Sequence, residues 1–254
     1  MYSILKYIFL TATRDWLYVG LFLLLLAAFG ISVVLAGTAL VETNAMATSY
    51  IAGASRMILA IGMILFVCFH IRRSFDNKEV EFILSKSISR HKFIFAYLLG
   101  FSLVASIILA LTIAPLFFIQ LGGFGLFYWS LSLFLEIIIL ISFATLASLI
   151  LRSAISAVLA SLGFYIISRM MGFFVLTIKL PKSFADLSTA DGIMKSLLKV
   201  LSVAFPRLDL FANSEWLIYG VTDFSNITLI IVQSLIYIPL MIFMSFYDFN
   251  NKQF

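Results

Sequence analysis

Leu126-Phe-Tyr-Trp-Ser-Leu-Ser-Leu-Phe-Leu-Glu136-Ile-Ile-Ile-Leu-Ile-Ser-Phe-Ala-Thr-Leu-Ala-Ser-Leu-Ile-Leu151 carries a single charge in 26 residues. As a helix at 1.5 Å per residue it is roughly 39 Å long, more than the ~30 Å hydrocarbon layer of a bilayer requires. Comparable apolar runs occur at about Trp16–Gly37, Met57–Ile71, Phe93–Ile119, Ile155–Ile178 and Phe224–Phe246. The second of the six spans is short unless it begins nearer Ile51, which would place Arg56 in its outer turn. Composition agrees: 63% hydrophobic, 16% aromatic and 11% charged, with a mean hydropathy of +1.13 over 254 residues, lies far outside the soluble range. The expected fold is an all-α membrane protein, a single transmembrane domain over residues 1–254 with six spanning helices. None of the runs alternates polar with apolar as a barrel strand would, and an open strand edge cannot exist in lipid.

Lysine and arginine placement orients the spans, because cationic loops resist translocation. With the N-terminus inside, ten such residues lie on the inner side (Lys6, Arg14, Arg72, Arg73, Lys78, Lys86, Arg90, Lys92, Arg152 and Lys252). Six lie outside (Arg56, Lys179, Lys182, Lys195, Lys199 and Arg207). Both termini are therefore expected in the cytoplasm, with the chain embedded in the cell (inner) membrane. The first apolar run is too long for a cleaved signal peptide, despite small residues at Ala36, Gly37 and Ala39, and reads as an uncleaved anchor. The net charge of +5 is scattered over helix ends and not gathered on one soluble face, which argues against a nucleic-acid partner. Cys68 is alone, so no disulfide framework is expected; it reads as lipid-facing or as packing filler.

Three regions outside the spans have their own pattern. Residues 1–15 place Ile4, Leu5, Ile8, Phe9 and Ala12 on one helical face and Ser3, Lys6, Tyr7 and Arg14 on the other, as an interfacial helix would. The outer segment 179–223 reads as a lid of helices before the last span. Ser188 and Asp191 have capping-box spacing, Ile193 to Ala204 form an amphipathic helix stopped by Pro206, and Leu208–Tyr219 is a second short element with Trp216 and Tyr219 as interface anchors. Gly122-Gly123-Phe124-Gly125 reads as a tight outer turn; it lacks the Lys-Ser/Thr of a phosphate loop. No internal repeat or low-complexity run stands out.

The third region, Asn77-Lys-Glu-Val-Glu-Phe-Ile-Leu-Ser-Lys-Ser-Ile-Ser-Arg90, is a charged island between two spans. Asp76 or Asn77 can cap a short helix, Glu79 falls in its first turn where a carboxylate offsets the helix dipole, and Val80, Ile83 and Leu84 follow at helical spacing. Ser89 can cap the helix that continues into the third span. A short amphipathic helix under the membrane, joined by a sharp corner to a span, would move both spans when pushed. Taken by itself, the island can also be read as a charged loop that sets topology.

These residues resemble the membrane (permease) subunits of type-2 ATP-binding-cassette exporters. In that family the loop between the second and third spans commonly holds an acidic residue, then Leu-Leu-Ser-Lys/Arg-Pro-Ile-Ser-Arg, then a helix ending in Leu-Gly. The matching residues are Glu79, Glu81, Phe82, Ile83, Leu84, Ser85, Lys86, Ser87, Ile88, Ser89 and Arg90, followed by Tyr97, Leu98, Leu99 and Gly100; Ser87 replaces the family proline, and Ala96-Tyr97 replaces Gly-Lys. Phe205-Pro-Arg-Leu-Asp-Leu-Phe211 resembles the family's Pro-x-Leu-x-Leu-Phe run. The resemblance implies that segment 73–92 is a coupling helix, with Glu79, Glu81, Phe82, Ile83, Leu84, Ser85, Lys86 and Arg90 the candidates for contact with a separate cytoplasmic ATPase dimer. It implies a second permease copy or paralogue, ATP and Mg bound by the ATPase and not by this chain, no catalysis by this chain, and a hydrophobic or amphipathic cargo.

Glu136 and Arg169 are the ionisable residues deep in the expected spans, each roughly 15 Å from the outer side, so they can pair if those helices are neighbours. Ser153, Ala157 and Ser161 give the fifth span a small-residue face for close helix approach. The pair reads either as a structural ion pair or as part of a transport path. On the second reading the chain is a secondary transporter using Glu136 and Arg169 for ion coupling; a non-transporting scaffold is a further alternative. Against the secondary transporter stand the missing repeat and the lack of Gly/Pro breaks in corresponding spans. His70 and His91 lie far from Glu136, so no metal site is expected, and no Ser, His and carboxylate share one depth.

Overall fold

The structure, a computed structural model, describes residues 7–11, 16–38, 43–85, 89–120, 123–179, 196, 200, 204–221 and 224–251, without the side chains of 84, 118–120 and 177–179. Among them the chain is mostly helical and contains no strand. The helices are α1 (Trp16–Thr38), α2 (Thr43–Asp76), α3 (Glu79–Ser85), α4 (Arg90–Gln120), α5 (Phe124–Ile150), α6 (Ala154–Lys179), α7 (Glu215–Tyr219) and α8 (Phe224–Asn251), with a 3-10 turn at Leu208–Leu210. Six of them, α1, α2, α4, α5, α6 and α8, are long and apolar enough to cross a membrane.

The largest departure from expectation is α2. It runs for 34 residues from Thr43, not from Met57 or Ile51. The added turns are rich in Thr, Asn, Ser and Ala and are too polar to register as a span, yet Ala47, Thr48, Ile51, Ala52 and Ser55 are buried. Protein neighbours cover one face of this part of the helix.

α2 and α5 touch along the centre, with α4 and α6 against both, α1 outside α2, and α8 outside α5. Burial follows that order: 72% of the most apolar window of α5 is buried, against 17% in α1 and in α8, so the outer pair leaves most of its apolar side chains uncovered by the described residues. Trp129, Phe66, Phe101, Leu59, Met63 and Leu133 fill the core. Cys68 is buried beside Ser161 and the Ala144 carbonyl, a packing role and not a lipid-facing one.

At the island end, α2 closes through Asn77 N–H to Arg73 O (2.9 Å) and Lys78 N–H to Phe75 O (3.0 Å). Lys78 has φ 57°, and its carbonyl accepts from Phe82 N–H (3.1 Å), which makes Lys78 the residue that starts α3. The expected cap at Asp76 or Asn77 is not used. Asp76 is still in α2 and pairs with Arg72 at 2.8 Å. Ser89 holds the expected position, its carbonyl accepting from Phe93 N–H at 3.1 Å. The left-handed backbone at Lys78 costs a side-chain-bearing residue about 1 kcal/mol that glycine avoids. Lys78→Gly should therefore raise, and Lys78→Val lower, the thermal unfolding temperature of the purified protein in detergent, each by an amount equivalent to ~1 kcal/mol.

Of the N-terminal interfacial helix, residues 7–11 are described and helical. Ile8 is fully buried and sits on α4 where a Cβ at Gly100 would lie 2.7 Å from its Cδ1. This turn is docked on the bundle. At the opposite, lid end, the amphipathic helix expected over 193–204 lies almost wholly outside the described residues; 196, 200 and 204 are helical. The element expected over Leu208–Tyr219 is broken in two. Ala212 turns left-handed (φ 48°), and Asn213 Oδ1 accepts from Glu215 N–H (3.1 Å) to begin α7. Trp216, expected at the membrane interface, is buried, whereas Tyr219 is exposed.

Candidate functional site

At the island end, α3 lies across the ends of three spans. Val80 is 1% exposed and shares an apolar niche with Ile71 and Phe75 of α2, Phe93 and Tyr97 of α4, and Leu149 of α5. Ile83 is half-buried, while Glu81, Phe82 and Ser85 are exposed. Glu79 is half-buried and accepts a 2.8 Å hydrogen bond from the Tyr7 hydroxyl. Burial first, and the facing Glu79 carboxylate second, hold the Tyr7 phenol above its ordinary pKa. Arg90 donates to the carbonyls of Phe249 (2.9 Å) and Asn250 (3.0 Å), fastening the start of α4 to the last turn of α8, where a cation complements the helix dipole. The Leu84 side chain and Lys86 lie outside the described residues. Behind α3, Tyr97 O–H bonds Ser74 Oγ (3.2 Å), and buried His70 is ringed by Phe66, Tyr97 and Phe101.

The second group lies within the bundle, towards the lid end. Glu136 on α5 is completely buried, and Arg169 on α6 comes within 4.0 Å of it, so the structure brings the expected pair together. The contact is one of charge; among the described residues neither Glu136 oxygen has a hydrogen-bond partner. The Arg169 guanidinium instead donates to the carbonyls of Leu208 and Phe211. Arg56 on α2 donates to the Ala212 carbonyl at 3.1 Å, with Glu136 and the Tyr165 phenol beside it. Ser132 on α5 accepts from Ala212 N–H (2.9 Å) and donates to Trp129 O (3.0 Å). Irregular backbone at membrane depth persists only where protein groups satisfy it. Here two arginines and a serine do so for residues 208–212. Asp209 rests against Gly172 and pairs with Arg207 (2.9 Å), whose backbone N–H reaches Gln233 on α8 (2.9 Å).

Arg56 is the member that sequence reasoning misplaced. Assigned to an outer turn, it is thirteen residues inside α2 and beside Glu136. A helix started at Thr43 would have revealed it by the same depth count that paired Glu136 with Arg169. Among the described residues no group of three His, Cys, Asp or Glu side chains is placed to hold a metal ion.

No protein-family model matches the chain, and no curated protein matches it significantly.

Proposed function

We propose that the chain is the permease subunit of a type-2 ATP-binding-cassette exporter, moving a hydrophobic or amphipathic cargo under the drive of a separate ATPase. The observation that carries this reading is the seating of α3. Val80 roots it across α2, α4 and α5 while Glu81 and Phe82 point away from the bundle, the arrangement a docking lever needs. The lysine and arginine bias supports a cytoplasmic position for that end, where a soluble motor would sit. A push on α3 would reach α2 and α4 directly, α8 through Arg90, and residues 7–11 through the Tyr7–Glu79 hydrogen bond. The working unit would be two permeases with two ATPases, the latter holding ATP and Mg.

The test is copurification of the tagged chain from its own membranes, with identification of the attached proteins. Glu81→Lys combined with Phe82→Ala should reduce recovered ATPase roughly tenfold or more, since interface anchors are worth ~1–2 kcal/mol each. Membrane insertion should be unchanged. Full recovery of ATPase with the doubly substituted, inserted chain would remove α3 as the docking element. Glu79→Lys belongs in a separate arm beside Tyr7→Phe, because it also breaks an internal bond.

One observation favours a second reading. A fully buried carboxylate with unbonded oxygens is a feature of ion-coupled secondary transporters as well as of structural clusters. Transport that survives ATP depletion and stops when the ion gradient collapses would select that reading.

A further inference from the structure

A cavity of about 570 Å³ lies at the lid end, between the start of α5, helix α7 and the first residue of α8. Four aromatic residues line it: Phe124 and Tyr128 of α5, Trp216 of α7 and Phe224 of α8. Phe124 and Phe224 are 85% and 63% exposed and form its rim, whereas Trp216 is 5% exposed and belongs to its wall. The space exists because of glycine. Gly123 and Gly220 also line it, and a Cβ built on either meets nothing within 4 Å. The wall is set by protein contacts alone. Gly125 admits the Trp216 carbonyl oxygen to the start of α5, while Arg56 (3.1 Å) and Ser132 (2.9 Å) hold Ala212, on the segment that leads into α7. Tyr128 and Phe224 meet edge to face at 6.2 Å and join α5 to α8. Preformed, mostly apolar cavities of roughly 300–1,000 Å³ with a few polar groups are the usual form of a small-molecule site.

The lining selects the class of molecule. Every residue on it is glycine, aliphatic or aromatic, and none carries a charge. The first residues of α5 and α8, the positive ends of two helix dipoles, border the space, which disfavours a cation over the rings. The same lining holds no lysine or arginine to meet an anion. Two polar side-chain groups belong to these residues, the Tyr128 hydroxyl and the Trp216 indole N–H, and among the described residues neither has a hydrogen-bond partner. The indole can only donate, so it calls for an acceptor, and the phenol can donate to the same atom. An uncharged ring that packs among the aromatic residues and offers them an oxygen matches every part of this wall.

We propose that this cavity binds an uncharged, flat ring compound bearing a carbonyl oxygen. The ring packs among Phe124, Trp216 and Phe224, and the oxygen accepts from the Trp216 indole N–H, with the Tyr128 hydroxyl as second donor. The site lies at the end of the bundle opposite α3, does not depend on the permease reading and stands if that reading fails.

The experiment measures equilibrium binding of acetylnaphthalene to the full chain in nanodiscs, with partition into empty nanodiscs of the same lipid subtracted. Binding should saturate, and its affinity should exceed that of ethylnaphthalene, which has the same rings and no oxygen, by roughly fivefold, the worth of one net hydrogen bond. Trp216→Phe with Tyr128→Phe keeps the rings and should erase that difference. Gly123→Leu fills the cavity from a position with extended backbone and open space, so it should weaken binding roughly tenfold or more while leaving the thermal unfolding temperature of the unliganded protein unchanged. Uptake by the unaltered protein that never saturates, or that equals the lipid's own, would overturn the site without recourse to any variant. Equal affinity for ethylnaphthalene would overturn the role given to Trp216 and Tyr128. Tighter binding of a naphthyl trimethylammonium ion would overturn the assignment of an uncharged ligand.

Discussion

Arg169→Met should destabilise the folded bundle by about 3 kcal/mol, the lower part of the range for stripping one partner from a buried ion pair. The lower part applies because Arg56 remains beside Glu136 and keeps some compensation. Two losses combine in the variant. Glu136 is left with a more distant counter-charge, and the carbonyls of Leu208 and Phe211 lose their common donor. Glu136→Gln alone should cost only about 1 kcal/mol, since Arg169 keeps its carbonyl partners. The double variant should then be about 1–2 kcal/mol more stable than the sum of the two changes, a coupling that unfolding in detergent micelles would measure. Simple additivity would mean that the 4.0 Å contact carries no energy. Exchanging the two charges should fail to restore stability, because a carboxylate at position 169 would face carbonyl oxygens. An exchange that did restore it would show ion attraction, not carbonyl donation, to be the main task of Arg169.

The ease with which this region is read from sequence varies residue by residue. Glu136 and Arg169 announce themselves, because a charge in an apolar run is conspicuous and counting residues from helix ends gives its depth. Arg56 does not. It stands in a stretch of Thr, Ser, Ala and Asn that hydropathy assigns to a loop, and only neighbouring helices make that stretch part of α2. The carbonyls of Leu208, Phe211 and Ala212 carry no sequence signal at all. That they return into the bundle is a tertiary fact, and so is the burial of Trp216, which by residue type belongs at an interface.

The island shows the same limit in a different way. Helix α3, its first-turn acids and the role of Ser89 follow from local rules that involve neighbours within four residues. The cap at Lys78 escapes those rules, because lysine seldom adopts positive φ while Asp76 and Asn77 are good caps; the length of α2 and the Arg72 partner of Asp76 decide otherwise. Arg90 was legible as a corner residue, but its carbonyl acceptors lie 159 and 160 positions away. Nothing local to Glu79 indicates that Tyr7 would claim it, a point that transfers the outward-facing role to Glu81 and Phe82.

Gly125→Ala should have an effect of similar size to the loss of Arg169, by steric means alone. A Cβ at position 125 would overlap the carbonyl oxygen of Trp216, a backbone atom that cannot rotate aside as a side chain can. The clash must therefore displace either the first turn of α5 or the segment leading through α7. The segment is the weaker party, since it is held to the spans by individual hydrogen bonds, donated by Arg56 and Arg169 and accepted by Ser132, and not by a continuous helical ladder. Overpacking of this kind costs ~1–3 kcal/mol, and a backbone collision belongs at the upper end. Gly123, two residues earlier, has open space around its Cβ position and extended backbone, so Gly123→Ala should change stability little. Gly163, inside α6 with nothing nearby, should gain about 0.5–1 kcal/mol from the same change through helix propensity. Three alanines with effects of different sign separate local crowding from any general intolerance of substitution. Thermal unfolding together with proteolysis of the 205–221 segment would measure both consequences, early cleavage being expected for the position 125 variant alone. A position 125 variant as stable and as protected as the parent would mean that α7 does not lie against the start of α5, and that Trp216 owes its burial to something else.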